Sequence, residues 1–239
     1  MAIHFNFVHI LSVWMVTTPC RELRSKAQFG TVKILAVSDE VVERLYSLSA
    51  GGHFRDVDLI LGCGDLPYTY LENLTTMLNK PLFFVPGNHD PDYDPRNPRT
   101  FAEGGSNIDL QLVRHKKFLI GGFGGSVLYR PDGTNQYSQS EAYRRAYQLL
   151  PRLWMNQINY GRMLDILITH SPPFGIHDED TQAHQGLKAI NWLMRLAKPR
   201  YLFHGHTHFQ RRNLSPSESV SGETKIFNIF PYKLIEVSH

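Results

Sequence analysis

Five apolar runs in this 239-residue chain end abruptly on polar side chains able to do chemistry. Leu82-Phe83-Phe84-Val85 stops at Pro86-Gly87 and is followed at once by Asn88, His89 and Asp90, which are an amide, an imidazole and a carboxylate in a row. The other runs end at Ser38-Asp39, at Gly64-Asp65, at His170, and at His204-Gly205-His206-Thr207-His208. Taken singly, each ending reads as a turn, because Gly, Asn and Asp are turn residues. Taken together, Asp39, Asp65, Asn88, His89, His170, His206 and His208 are carboxylates, an amide and neutral imidazoles at strand ends. That donor set suits a hard or borderline divalent ion such as Mn²⁺, Fe²⁺ or Zn²⁺. Such clusters of titratable groups concentrate at functional sites.

The elements that must position them follow from hydrophobic patterning. Residues 32–37, 57–61 and 81–85 read as buried strands, and 40–48 and 68–78 as the helices between them. Strand, helix, strand, helix, strand implies right-handed crossovers, which bring the ends of all three strands to one edge of a parallel sheet. A hairpin over 110–113 and 118–121 is predicted to start a second sheet. A long amphipathic helix over 138–159, broken near Pro151, comes next. Strands at 164–169 and 201–203 flank a helix at 187–197, and strands at 225–230 and 232–237 are predicted to close the second sheet. The Pro- and Asp-rich stretch 91–107 reads as a loop over the site. Asp90, Asp92 and Asp94 begin like a calcium loop, but Pro95 stands where glycine is needed and Phe101 where a glutamate should sit. The glycines of 121–125 complete neither a dinucleotide fingerprint nor a nucleophile elbow.

Composition bounds the rest. A hydrophobic content of 42% with 20% charged residues is that of an ordinary globular protein. The net charge of +3 comes without any Lys/Arg run, so charge does not point to nucleic acid. Two cysteines, Cys20 and Cys63, make no disulfide framework and suit a reducing compartment. No apolar stretch reaches the roughly 18 residues of a membrane span. Residues 5–16 are apolar like a signal-peptide core, but no basic segment precedes them and Thr17-Thr18-Pro19-Cys20 is a poor cleavage site. Residues 1–30 are therefore taken as an N-terminal extension, 31–239 as one domain, and the location as cytoplasmic.

In order along the chain, Ser38-Asp39-Glu40-Val41, Gly64-Asp65, Gly87-Asn88-His89-Asp90, His170 and Gly205-His206-Thr207-His208 resemble the motifs of the calcineurin-like metallophosphoesterases. The resemblance spans all but the first 30 residues. It implies an α/β fold, a two-sheet β-sandwich flanked by helices in four α/β/β/α layers, with the metal site at the strand carboxyl ends. Carried over, it implies one metal on Asp39, Asp65 and His208 and another on Asp65, Asn88, His170 and His206, so that Asp65 bridges the pair. A metal-activated hydroxide would attack phosphorus, and His89 would act as acid for the leaving oxygen. The implied cofactors are divalent ions, one or two per chain: Mn²⁺ first, with Fe²⁺, Zn²⁺, Ni²⁺ or Co²⁺ as alternatives. The implied partner is a small phosphodiester or phosphomonoester, with no membrane, and nucleic acid disfavoured for want of a basic stripe. Leu66-Pro67-Tyr68 after Asp65, and Asp90 after His89, depart from the protein-phosphatase versions of the motifs. Val41 stands where the first motif wants a histidine, which leaves that metal three protein ligands. A non-catalytic binding module on the same fold, as in a retromer subunit, and a nuclease are the alternatives.

Overall fold

The computed structural model describes residues 30–92, 94, 96–208 and 217–238. The expected extension 1–30 lies outside the described residues except for Gly30. The chain opens with β1 (Val32–Val37), α1 (Arg44–Ala50), β2 (Leu59–Gly62), α2 (Tyr68–Leu78), β3 (Leu82–Phe84) and β4 (Gly105–Asn107). These four strands pair in parallel in the order β1-β2-β3-β4, the first three as the alternation of strands and helices requires. It continues with the antiparallel hairpin β5 (Leu112–His115) and β6 (Phe118–Phe123), the short pair β7 (Ser126–Val127) and β8 (Gln136–Tyr137), α3 (Gln139–Tyr147), α4 (Leu150–Tyr160) and β9 (Ile166–Thr169). Then come α5 (Lys188–Ala197), β10 (Tyr201–His204), β11 (Glu218–Ser221), β12 (Thr224–Asn228) and β13 (Tyr232–Val237). The second sheet runs β11-β12-β10-β9-β6-β5.

Side-chain alternation along the strands builds the layers. Ile34, Leu61, Ile120, Ile168 and Phe203 point between the two sheets and are fully buried there. The intervening residues of β1 and β2, Leu35, Val37 and Ile60, pack under α1 and α2 against Leu45, Leu71 and Leu74. On the far side Leu167, Leu202 and Ile226 meet Ala146, Leu153, Ile190 and Leu193 of α3, α4 and α5. The result is the expected helix–sheet–sheet–helix sandwich. No helix among the described residues is long and apolar enough to cross a membrane.

Three expectations are corrected. The final strand β13 does not join the second sheet; it pairs antiparallel with β1, from Val32↔Val237 to Val37↔Tyr232. Its half-buried pattern suits the edge of either sheet, and only tertiary packing of Val237 and Ile235 into the inter-sheet core selects the first. Part of the stretch read as loop is strand β4, whose Gly-Ser-Asn sequence carries no apolar signal and is held by backbone pairing with β3. The long helix is broken as expected, but the break falls at 148–149 rather than at Pro151. Ser138 starts α3 with a capping box, its hydroxyl accepting from Glu141 N–H while the Glu141 carboxylate accepts from Ser138 N–H. Pro151 does not break α4 but sits in its first turn, where a missing N–H costs nothing.

Phe203 is fully buried and stacked on Phe227, with ring centres 5.5 Å apart. Phe203→Ala is expected to cost about 3–5 kcal/mol of stability. Urea unfolding should show a lower midpoint with an unchanged slope.

Candidate metal centre

The site stands where both sheets end. Asp39 follows β1, Asp65 follows β2, and Asn88 and His89 follow β3. His170 follows β9, and His206 and His208 follow β10. The loops interlock through carboxylates gripped by backbone N–H groups. Asp90 Oδ2 accepts from the N–H of Asp65 (2.9 Å) and of Gly87 (2.7 Å), and Asp65 Oδ1 accepts from His89 N–H (2.8 Å). Both carboxylate oxygens of Asp39 accept from His206 N–H, at 3.0 Å each. Asp39, Asp65 and His206 all adopt left-handed backbone, with φ of 64°, 56° and 70°, a conformation that non-glycine residues hold only under strong local constraint. Gly87 and Gly205 are glycines for lack of room. A Cβ on Gly87 would fall on Asp65 Oδ1, and one on Gly205 on Ser38 Oγ and Asp39 Oδ2. Buried Asn228, at the end of β12, donates to both the carbonyl and the hydroxyl oxygen of Thr207 at 2.8 Å and fixes the loop between His206 and His208.

Four side-chain atoms converge at the centre. His170 Nε2 lies 3.0 Å from Asn88 Oδ1, 3.0 Å from His206 Nδ1 and 3.4 Å from Asp65 Oδ2. Asp65, His170 and His206 form one group able to hold a metal ion. The other nitrogen of each ring is already committed: His170 Nδ1–H donates to the Cys63 carbonyl (2.8 Å) and His206 Nε2–H to the Ala183 carbonyl (2.7 Å). A carbonyl can only accept, so these bonds fix the tautomers and turn both remaining lone pairs towards each other and towards two oxygens. Four such acceptors within contact distance repel unless a cation lies among them. The donor set therefore fits a divalent ion.

The charges of these groups are set by one another. Burial disfavours charge on His170, but the Asp65 carboxylate outweighs burial and pushes the ring up to about 9. Asp65 is correspondingly held well below the ordinary carboxylate range, burial notwithstanding, by the His170 charge. Burial, reinforced by the His170 charge, pushes His206 down to about 3.

The remaining predicted residues are more open. His208 Nε2 lies 3.6 Å from Asp39 Oδ1, and its ring stacks on Phe230 with centres 4.2 Å apart. His89 is exposed; its ring is not among the converging atoms but lines the same cavity, of about 280 Å³. Asp39, Asp65, Asn88, His206 and His208 line it too, whereas Glu40 and Val41 are exposed outside it. Asp90, once the first oxygen of a conceivable calcium loop, turns its carboxylate inward onto backbone N–H groups instead. Four contributors carried no sequence signal. The Cys63 and Ala183 carbonyls are invisible in side-chain patterns. Tyr129, whose hydroxyl accepts from Asn88 Nδ2 at 3.0 Å, is one tyrosine in a loop. His184 also lines the cavity, its ring centre 5.4 Å from that of His206. His204, in the last motif, faces away and pairs with His177 (2.9 Å).

A family model described as calcineurin-like phosphoesterase matches residues 33–210. One crystal structure is similar with a TM-score of 0.60 at 14% identity, covering 87% of this chain and 99% of its own. TT1561 of Thermus thermophilus is similar with a TM-score of 0.51 at 16% identity, covering 83% of this chain and 89% of its own. At these identities both bear on the fold alone. No curated protein matches.

The proton on His170 gives a pH signature. Its folded-state value lies above the roughly 6.5 of an exposed histidine. The stabilisation is therefore complete below about pH 6.5 and fades as pH rises towards 9. A divalent ion on the same lone pairs must displace that proton. Binding of Mn²⁺ to metal-free protein near pH 8 is expected to release about one proton per ion. Calorimetry in buffers of differing ionisation enthalpy measures this release, and a value of zero would place the proton elsewhere.

Proposed function

The chain belongs to the calcineurin-like phosphoesterase family, and on that premise we propose that it is a metal-dependent hydrolase of small phosphodiesters or phosphomonoesters. The observation that carries this reading is the convergence of Asp65, Asn88, His170 and His206, with both outward ring nitrogens anchored on carbonyls. In the proposed assignment these four residues hold one divalent ion, Mn²⁺ first among the candidates. Asp39 and His208 join Asp65 in holding a second. Bound ions would supply Lewis-acid charge for the phosphoryl oxygens and a water acidic enough to attack near neutral pH. The chain supplies the rest. His89 stands at the cavity wall, clear of the converging atoms, and delivers a proton to the leaving oxygen. Its backbone N–H holds Asp65 Oδ1, which leaves Oδ2 directed at His170. Small esters fit a cavity of about 280 Å³ better than a folded protein segment does.

The test is a panel of aryl phosphomonoesters, phosphodiesters and cyclic nucleotides, with Mn²⁺ and with chelator. Turnover that chelator abolishes and Mn²⁺ restores is expected. No hydrolysis of any ester with Mn²⁺, Fe²⁺, Co²⁺, Ni²⁺ or Zn²⁺ would favour a binding module instead. His89→Ala should retain metal yet lose about 10²–10⁴-fold in turnover of esters with poor leaving groups. Activated aryl esters, which need little protonation, should lose far less. An equal loss for both classes, or loss of the metal, would make His89 structural.

Val41 gives the reading a second test. In this assignment the Asp39, Asp65 and His208 site has three protein ligands, and neither exposed Glu40 nor exposed Val41 lines the cavity to supply a fourth. Dialysed protein is expected to keep about one tightly held ion, the second returning only at high metal concentration. Val41→His should lower the metal concentration that gives half-maximal activity. Two tightly bound ions in the wild type, found by elemental analysis, would refute this account of Val41.

A further inference from the structure

Tyr129 stands between two cavities at the strand ends. The metal-centre cavity and a neighbouring one of about 350 Å³ share Asn88, His89 and Tyr129 as their common wall. Tyr129 lies in the loop between β7 and β8, and that loop is held from within. The buried Gln136 side-chain oxygen accepts from the backbone N–H of Tyr129 (3.2 Å) and of Arg130 (3.1 Å). The Arg130 guanidinium lies over the Tyr129 ring, 5.3 Å from its centre. The phenolic oxygen is thus held in place, and one Asn88 Nδ2–H donates to it at 3.0 Å.

That contact decides which end of Asn88 faces the converging atoms. The two ends of a primary amide are nearly identical in shape and opposite in function: the oxygen offers lone pairs to a cation, and the amino group offers only hydrogens. Asn88 is 5% exposed, so an unengaged amino group would be left without water to satisfy it. With Nδ2 engaged by Tyr129, Oδ1 is the end left facing His170.

The same bond leaves Tyr129 with something to give. Its oxygen accepts from Asn88, while its own hydroxyl hydrogen goes to no group among the described residues. The residue is half-buried and lines both cavities, so that hydrogen is available to whatever occupies them. An O–H facing a phosphoryl oxygen makes a charge-assisted bond, stronger than one between neutral groups.

We propose that Tyr129 has two linked roles: it orients Asn88 with its oxygen towards the metal group, and it donates its hydroxyl hydrogen to a phosphoryl oxygen of the bound ligand. The first role makes it a positioning residue for the metal, and the second a ligand-binding residue. The identity of the anion rests on the phosphoesterase reading; the orientation of Asn88 does not.

Tyr129→Phe removes one oxygen and keeps the ring under Arg130. Two affinities are measured, neither of which needs turnover: Mn²⁺ by chelator competition without phosphate, and inorganic phosphate by calorimetry at saturating Mn²⁺. Mn²⁺ affinity should fall about tenfold, as for loss of an outer-shell partner. Phosphate affinity should fall about 3–10-fold, as for loss of one hydrogen bond. A purely structural role is separated by repeating Tyr129→Phe in an Asn88→Asp background. The carboxylate so introduced has an oxygen at either end and needs no orienting. There the loss of Mn²⁺ affinity should shrink to less than about threefold, the energies being non-additive only if the two residues act together. Wild-type Mn²⁺ affinity in Tyr129→Phe, or an equal loss in both backgrounds, overturns the positioning role. Unchanged phosphate affinity overturns the ligand contact. A wild-type protein that binds Mn²⁺ and phosphate as expected but hydrolyses no ester would instead overturn the phosphoesterase reading.

Discussion

Backbone N–H groups gripping carboxylates from a neighbouring loop are what the rest of the site depends on. Asp90 ties the turn after β2 to the turn after β3, and Asp65 accepts from the turn after β3 in return. Asp39 ties the turn after β1 to the turn after β10, in the other sheet. Each of these is a charge-assisted bond, about twice as strong as a neutral one. Together they hold left-handed backbone at Asp39, Asp65 and His206 that the isolated turns would not keep. Without the grip, acceptors as mutually repulsive as those of Asp65, Asn88, His170 and His206 would move apart.

The grip explains why glycine is placed as it is. Gly87 and Gly205 sit where one loop's backbone meets the next loop's carboxylate, and a single methyl group would separate them. The apolar runs before each turn set strand length, so each polar ending arrives at the same edge. The inward alternation of Ile34, Leu61, Ile168 and Phe203 then fixes how the two sheets face each other.

Much of this was legible in the sequence. The parallel pairing of β1, β2 and β3 follows from apolar periodicity, and the meeting of Asp39, Asp65, Asn88, His170, His206 and His208 from polar residues at strand ends; the sandwich was implied by the resemblance of those motifs to a known family. What was illegible has a common physical cause. β4 is held by backbone bonds that a Gly-Ser-Asn sequence does not advertise. β13 presents a face suited to either sheet, so that its partner is chosen by packing. The Cys63 and Ala183 carbonyls set the histidine tautomers with atoms that every residue carries. Tyr129 and His184 reach the cavity from loops whose path depends on the finished fold.

The two sheets contribute different donors to the centre: Asp39, Asp65 and Asn88 come from one, His170, His206 and His208 from the other. The acceptor cluster is therefore a seam, and any cation seated in it rivets two slabs that are otherwise joined by an apolar core and a few hydrogen bonds at the same edge. Slippage between the slabs by a fraction of an ångström would leave most apolar contacts intact yet scatter the acceptors. Ion affinity in such an architecture is a vernier on sheet alignment, and it reads out repacking of the inter-sheet core long before global unfolding does. The same seam also means that neither half of the chain carries a working fragment of the centre by itself.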